Sequence, residues 1–316
     1  MPKPKKITGQ DASGEESSGY HIPVLLKETI EGLNIVPDGI YVDCTMGGAG
    51  HSREILKHLG AEGRLVVFDQ DADAKQNVPD DERVLFIQQN FRHLQRFLRA
   101  NKIREVDGIL ADLGVSSHQF DEPERGFSIR FDAALDMRMD VRQTTTAADI
   151  LKNYSEQELH KMFEQYGEVT NARTLARTIV ARRTETPIRT ISGFKQAVKE
   201  DVKGNPNKYF AQVFQALRIA VNDEMGALKE MLEQSVEVLK PGGRIAVITF
   251  HSLEDRIVKQ FFKQGDFETT DEFDLYGTKK ESKLKVITKK PVTAGEQELK
   301  INSRSRSAKL RVAEKK

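Results

Sequence analysis

The chain alternates short apolar runs with amphipathic ones. Ile40 to Cys44 (I-Y-V-D-C) reads as a buried strand, preceded by a Pro37-Asp38-Gly39 turn. A glycine-rich turn follows, with Gly47, Gly48 and Gly50, and then Arg53 to Leu59 sets Ile55, Leu56 and Leu59 on one helical face. Arg64 to Asp69 (R-L-V-V-F-D) is a continuous apolar run ending in an acid, as expected of a parallel strand buried on both faces. Val84 to Gln88 and Val106 to Leu113 repeat the strand signal, and His93 to Asn101 between them is a helix with Leu94, Phe97 and Leu98 inward. Upstream, His21 to Leu33 has helical spacing. This β-α-β alternation predicts an α/β fold with a parallel, doubly wound sheet. Such sheets hold ligands at the carboxyl ends of their strands. Asp43, the glycine turn, Asp69, Phe91 and Asp112 all fall there.

The rhythm changes after Ser117. Ser155-Glu156-Gln157-Glu158 reads as a capping box opening a helix to about Tyr166. Asn171 to Arg183 and Ser192 to Val202 are further helices, separated by Pro187, and Gly204 to Asn207 is a loop. Phe210, Val213, Phe214, Leu217, Val221, Leu228, Met231 and Leu232 then recur at helical spacing in one long or broken helix to Leu239. After a Pro241-Gly242-Gly243 turn, Arg244 to Phe250 is a fifth strand, and His251 to Arg256 opens a helix at its carboxyl end. Ala308 to Ala313 alternates with period two and reads as a late edge strand. The organisation expected is a disordered tail over 1–19, a sheet domain over 20–117 and 216–316, and a helical insertion for substrate recognition over 118–215.

Composition narrows the class. No apolar run approaches the ~20 residues of a membrane helix, and Lys3, Lys5 and Lys6 have no apolar stretch behind them, so a cytoplasmic protein without a membrane partner is expected. The one cysteine, Cys44, excludes a disulfide framework and a cysteine-rich zinc site. No histidines show metal spacing, and no metal is expected. The net charge is only +1, yet Lys279 to Lys316 carries thirteen Lys/Arg against four Glu. That segment, and Arg173, Arg177, Arg182 and Arg183 on one helix, could meet phosphates or could be solvated surface. A homodimer is compatible with the sequence.

The glycine turn selects among ligands. No Gly-Lys-Ser/Thr follows it, so it is not a Walker loop. Gly48-Ala49-Gly50 supplies two glycines of a dinucleotide fingerprint, but Arg53 occupies the third position. S-adenosylmethionine, which has no pyrophosphate, fits better. Asp69 stands ~20 residues beyond the turn, the spacing at which an acid grips a ribose diol. Phe91 would face adenine, and Asp112 the methionine end or the incoming nucleophile. Methylating an exocyclic amine needs an acceptor for the amine protons, and Asp112 and then Ser116 are the candidates. Cys44 lies inside a strand with no Pro-Cys motif, which disfavours a covalent ring-carbon mechanism. Phe120, Phe127 and Phe131 are candidate platforms for a flipped base. His251 is a helix cap or a proton acceptor.

Seven segments then carry a resemblance: Asp43 to Ser52 (D-C-T-M-G-G-A-G-H-S), Asp112 to Ser117 (D-L-G-V-S-S), Glu124 to Ser128 (E-R-G-F-S), Leu135 to Asp140 (L-D-M-R-M-D), Phe214 to Ile219 (F-Q-A-L-R-I), Phe250 to Arg256 (F-H-S-L-E-D-R) and Ser305 to Arg311 (S-R-S-A-K-L-R). In this order they resemble the bacterial 16S ribosomal RNA cytosine-N4 methyltransferases (RsmH/MraW), from His21 to Glu314. The resemblance implies a class I (Rossmann-like) S-adenosylmethionine methyltransferase sheet with an inserted helical domain. It implies an rRNA (cytosine-N4-)-methyltransferase acting on a cytosine of the decoding centre (P site) of 16S rRNA in the 30S subunit. The cofactor contacts it implies are Ala49, Gly50, His51, Asp69, Phe91, Asp112 and Gln119. The family usually has proline where this chain has His118, and a Y-G-E-E-R-F segment where it has Tyr166 to Asn171. A non-catalytic ribosome-assembly factor, or a nicotinamide oxidoreductase on the same sheet, are the alternatives.

Overall fold

The computed structural model describes residues 23–267 and 282–316. The tail expected over 1–19, the start of the helix read from His21, and Lys279 to Glu281 of the basic stretch lie outside the described residues.

The first half builds the expected alternation except between β2 and β3, where a 3-10 helix over Ala72–Asn77 stands in place of an α-helix. Helix α1 (Leu26–Leu33) leads to β1 (Ile40–Asp43), then α2 (Gly50–His58), β2 (Arg64–Phe68), β3 (Val84–Ile87), α3 (Leu94–Ala100) and β4 (Val106–Asp112). Alternate residues of each strand serve opposite faces, and both faces are covered. Val42, Val66, Phe68, Ile109 and Ala111 join one core, while Tyr41, Leu65, Val67 and Leu110 join another beneath α1 and α2. That is why these strands read as unbroken apolar runs.

Past β4, a short α4 (Ser117–Asp121) opens the insertion, followed by α5 (Ala147–Asn153), α6 (Glu156–Gly167), α7 (Ala172–Glu185), α8 (Ile191–Ala197) and α9 (Pro206–Asn222). Their buried side chains, among them Ile150, Phe163, Leu175, Ile179, Phe194 and Phe214, form a third core that runs from Phe127 to Val221. The Ser155 capping box forms as read. The loop read over Gly204 to Asn207 is shorter: Asn205 caps α9 by accepting from the amides of Asn207 and Lys208, and Pro206 starts the helix. The long helix is broken at Asp223, whose φ of 46° ends α9, and α10 (Glu224–Val238) resumes beyond it.

The chain returns to the sheet as β5 (Leu239–Thr249), followed by α11 (Ser252–Gln264), β6 (Leu284–Val286), α12 (Glu296–Ile301) and β7 (Lys309–Lys315). Pro241-Gly242-Gly243 loops out within β5, between the pairs Val106–Leu239 and Gly108–Arg244. Helices α3, α10 and α11 cover the second face. Among the described residues the strand order is β3-β2-β1-β4-β5-β7-β6, parallel through β5, with β7 antiparallel to both of its neighbours. The late strand is therefore not an edge. Its partner β6 has three residues, too few to show a period in the sequence, and it covers the outer side of β7. No helix among the described residues is long and apolar enough to cross a membrane.

Candidate functional site

A cavity of about 860 Å³ opens at the carboxyl ends of β1, β2 and β4, between the sheet and the insertion. The glycine turn forms its floor. Gly47 and Ala49 take left-handed backbone (φ 47° and 60°), which lets the chain leave β1 and enter α2 within a few residues. A Cβ on Gly50 would overlap Pro23 Cγ, so only glycine lets the two segments meet. A Cβ on Gly48 would meet nothing within 4 Å, so that backbone faces open space. Arg53 braces the turn from outside: its Nη1 donates to the Gly48 carbonyl at 2.7 Å and its Nη2 to that of Asn77 at 3.1 Å. A large residue at the third fingerprint position is thus part of this turn.

The carboxylate of Asp69 is oriented by the backbone. Gly47 N donates to Oδ2 and Asp71 N to Oδ1, each at 2.8 Å. Burial lifts the Asp69 carboxyl to about 6 against those two amides. At the end of β1, Asp43 is buried and accepts from Ser52 Oγ at 2.6 Å and Thr45 N at 3.0 Å.

Asp112 ends β4. Its amide donates to Thr45 Oγ1 at 2.7 Å, while its Oδ1 is buried with no hydrogen-bond partner. Burial first, then the charges of Asp43 and Glu254, push its carboxyl up to about 8. His51 faces it, with Nδ1 3.7 Å from Asp112 Oδ2. Since the Val24 carbonyl can only accept, His51 Nε2 carries the proton of their 3.0 Å bond, and burial lowers the imidazole further toward neutrality. Burial and the nearby Asp43 hold the Cys44 thiol well up, as suits a packed residue rather than a nucleophile.

Gly50, His51, Asp69, Phe91, Asp112, Ser116 and Gln119 all line the cavity. Ala49 does not line it; it is buried as the N-cap of α2. Ser116 caps α4: its Oγ accepts from Gln119 N, and its own amide donates to Gln119 Oε1, both at 3.1 Å. His118 sits within this helix and leaves the capping box intact. Gln119 Nε2 also donates to Asp71 Oδ2 at 2.7 Å. Asp71 is clamped in turn by Arg125, which reaches Asp73 and the carbonyls of Arg138 and Met139 as well. Arg125 thereby ties the insertion loops to the strand-end acids. Its partners lie 52 and 54 residues upstream, a spacing without a local signature.

The far wall holds groups that pattern reading did not single out. Arg218 pairs with Glu224 through two bonds, Nε to Oε1 at 2.8 Å and Nη2 to Oε2 at 3.0 Å, and both line the cavity beside Glu254. Burial would raise Glu254, but His251, the Phe250 amide and Arg218 together hold it below the usual range. His251 is the N-cap of α11, its Nδ1 accepting from Glu254 N, and it does not line the cavity. Glu224, His251 and Glu254 present ligand atoms within 4.8 Å of one another; Arg218 pairs with Glu224 there, and His251 Nε2 lies 3.2 Å from Glu254 Oε1.

Of the candidate base platforms, only Phe120 lines the cavity. Phe127 is buried in the insertion core, whose apolar helices claim it, and Phe131 is 43% exposed away from the site. The α7 arginines stand apart too. Arg183 donates to the carbonyls of Leu151 and Tyr154, Arg182 pairs with Glu185, and none of the four lines the cavity. Glu168, within the segment that departs from the usual motif, bridges to the sheet half at Ser252 (3.3 Å) and Arg256 (3.8 Å).

Residues 18–316 match the family model of the MraW methylase family. The chain is 55% identical to "Ribosomal RNA small subunit methyltransferase H" of Parabacteroides distasonis over 303 residues, covering 95% of this chain and 99% of the relative. It is 55% identical to the protein so named in Bacteroides thetaiotaomicron, over 94% of this chain and 98% of the relative. The counterpart in Flavobacterium johnsoniae is also 55% identical, again over 94% and 98%.

Proposed function

The chain belongs to the MraW methylase family, and from that premise we propose that it methylates N4 of a cytosine in the decoding centre (P site) of 16S rRNA within the 30S subunit. It is an rRNA methyltransferase of the small subunit, and S-adenosylmethionine is its methyl donor. The residues present fit that group. The cavity is acid-rich, with burial raising both the Asp69 and the Asp112 carboxyl, and a cationic ligand relieves that strain. Gly48 leaves room for close backbone approach, Asp69 is placed to take hydroxyls, and Phe91 offers an apolar wall. When bound, the donor supplies an electrophilic methyl on a positively charged sulfur.

The observation that carries the reading is Asp112 Oδ1, a buried acceptor without a partner on the wall shared by the glycine turn and the insertion. Cytosine N4 is a donor of two hydrogens, which is what this atom lacks. Near 8 the carboxyl keeps its proton at neutral pH, and a cationic donor beside it favours the carboxylate, which orients the amine and then takes the proton shed when nitrogen gains a methyl. Ser116 accepts from Gln119 N and keeps its hydroxyl proton and a second lone pair for the substrate. Residues 118–215 serve as the surface that selects the RNA.

The test uses the whole protein, purified 30S subunits and methyl-labelled donor, with mass mapping of the product. Label on a cytosine amine supports the reading. Binding of 30S without label supports the assembly-factor alternative. Label on a ring carbon or another base would sink the amine assignment.

A further inference from the structure

Two arginines from distant parts of the chain converge on one ring of the cavity wall. The Arg130 guanidinium lies 5.3 Å from the Phe120 ring centre and that of Arg304 lies 5.8 Å from it. All three residues line the cavity. Arg130 comes from the loop after α4, Arg304 from the turn after α12. Arg130 is exposed, and among the described residues it forms no ion pair with a carboxylate. Arg304 is half-buried, with Asp121 and Asp112 as its acidic neighbours and Arg130 as its cationic one.

Bringing a second guanidinium to the same ring costs repulsion and, at Arg304, desolvation. The aromatic face offsets part of this. Asp121 and Asp112 offset a further part at Arg304, whereas Arg130 is exposed with its guanidinium on the ring, and guanidinium forks match phosphate oxygens. Asp69 and Asp112 mark where a cationic donor belongs; the Phe120 wall carries both Arg130 and Arg304, with Asp121 beside them. Asp112 lines the same cavity and lies near enough to act on Arg304, which puts this wall within reach of the phosphate of a nucleotide whose base meets Asp112.

We propose that Arg130 and Arg304, held on Phe120, form a clamp for a backbone phosphate of the RNA strand that delivers the target nucleotide. This rests on the reading of the protein as an RNA methyltransferase. It assigns strand holding to these two residues, and not to the α7 arginines, which lie off the cavity.

The experiment measures methylation of 30S subunits by the full-length protein across salt concentrations, for Arg130→Ala, Arg304→Ala and Arg173→Ala. Each clamp variant is expected to raise KM for 30S about tenfold with kcat within about threefold, and to reduce the slope of log KM against log salt by about 0.7. Arg173→Ala is expected to change neither, and donor affinity is expected to hold in Arg130→Ala and Arg173→Ala. As a second readout, 5′-CMP should inhibit the wild type better than cytidine, and that advantage should vanish in Arg130→Ala, whose exposed side chain is not needed for folding. Unchanged salt slopes in both clamp variants overturn the proposal. So does inorganic phosphate inhibiting as well as 5′-CMP, which marks a free-anion site. If the wild type labels no 30S RNA, the enzymatic reading itself has failed; if it labels and the variants match it, only the clamp has.

Discussion

Replacing Asp112 by asparagine should remove activity and stabilise the donor-free fold, by an amount that grows with pH. The folded protein keeps the Asp112 proton up to about 8, because the group is buried beside Asp43 and Glu254. The unfolded chain releases it near the ordinary carboxylate value of 3.8. Between those values the unfolded state binds fewer protons than the native one, so wild-type stability falls as pH rises. The side-chain amide of the Asp112→Asn variant has no such proton to lose. Each pH unit in the window therefore adds at most ~1.4 kcal/mol to the difference in favour of the variant. The side chain is 25% exposed, and water reaching it reduces the total expected between pH 5 and 8 to about 2 kcal/mol. Asp43 and Glu254 titrate in both proteins and cancel to first order. Urea unfolding of both proteins at several pH values from 5 to 8.5 measures the difference directly. On the same samples, kcat for 30S methylation should fall at least about a hundredfold. A stability difference flat across that range, or one that shrinks as pH rises, would refute the assignment of Asp112 as a buried carboxyl that strains the fold.

Other consequences are equally direct. Gly50→Ala drives a methyl into Pro23 Cγ, so the glycine turn must shift; calorimetry should show donor Kd rising about tenfold, or about 1.4 kcal/mol. Asp69→Ala removes the acceptor for Gly47 N and Asp71 N, and donor affinity should fall at least about tenfold with the far-ultraviolet spectrum unchanged. In the wild type, donor binding should weaken as pH drops through about 6, because Asp69 then gains a proton and one acceptor oxygen becomes a donor. Arg125→Ala leaves the buried Asp71 without its cation and should cost about 3 kcal/mol in urea unfolding. Arg182→Ala, which removes an exposed ion pair, should stay within about 0.5 kcal/mol.

Much of this was legible along the chain because its causes are local. The runs around Val42, Val66 and Ile109 are apolar on both sides since helices cover both faces of the sheet, and that is visible residue by residue. The glycine turn needs left-handed backbone at Gly47 and open space at Gly48, both met within one short segment. Ser155, Asn205 and Asp223 mark helix boundaries through their own side chains or backbone. Pattern reading went astray where a residue's place depends on a distant partner. The last strand looked like an edge because the three-residue β6 beside it has no period to read. Phe127 looked as available as Phe120, and only the packing of the insertion shows that one is core and the other wall.

The sequence by itself determined the order of the five parallel strands, the donor-type turn and the two strand-end acids, since strand burial and tight turns are set by neighbours within about ten residues. The tertiary structure alone decided what those acids do. Asp112 is an orphaned acceptor only because Asp43, Glu254 and the β5 layer close around it. Arg125 locks Asp71 across 54 residues, and Arg304 meets Phe120 only once the C-terminal segment has folded back as β7 between β5 and β6. Charge interactions in a closed cavity depend on distance and solvent exclusion, and neither is written in the spacing of residues along a chain.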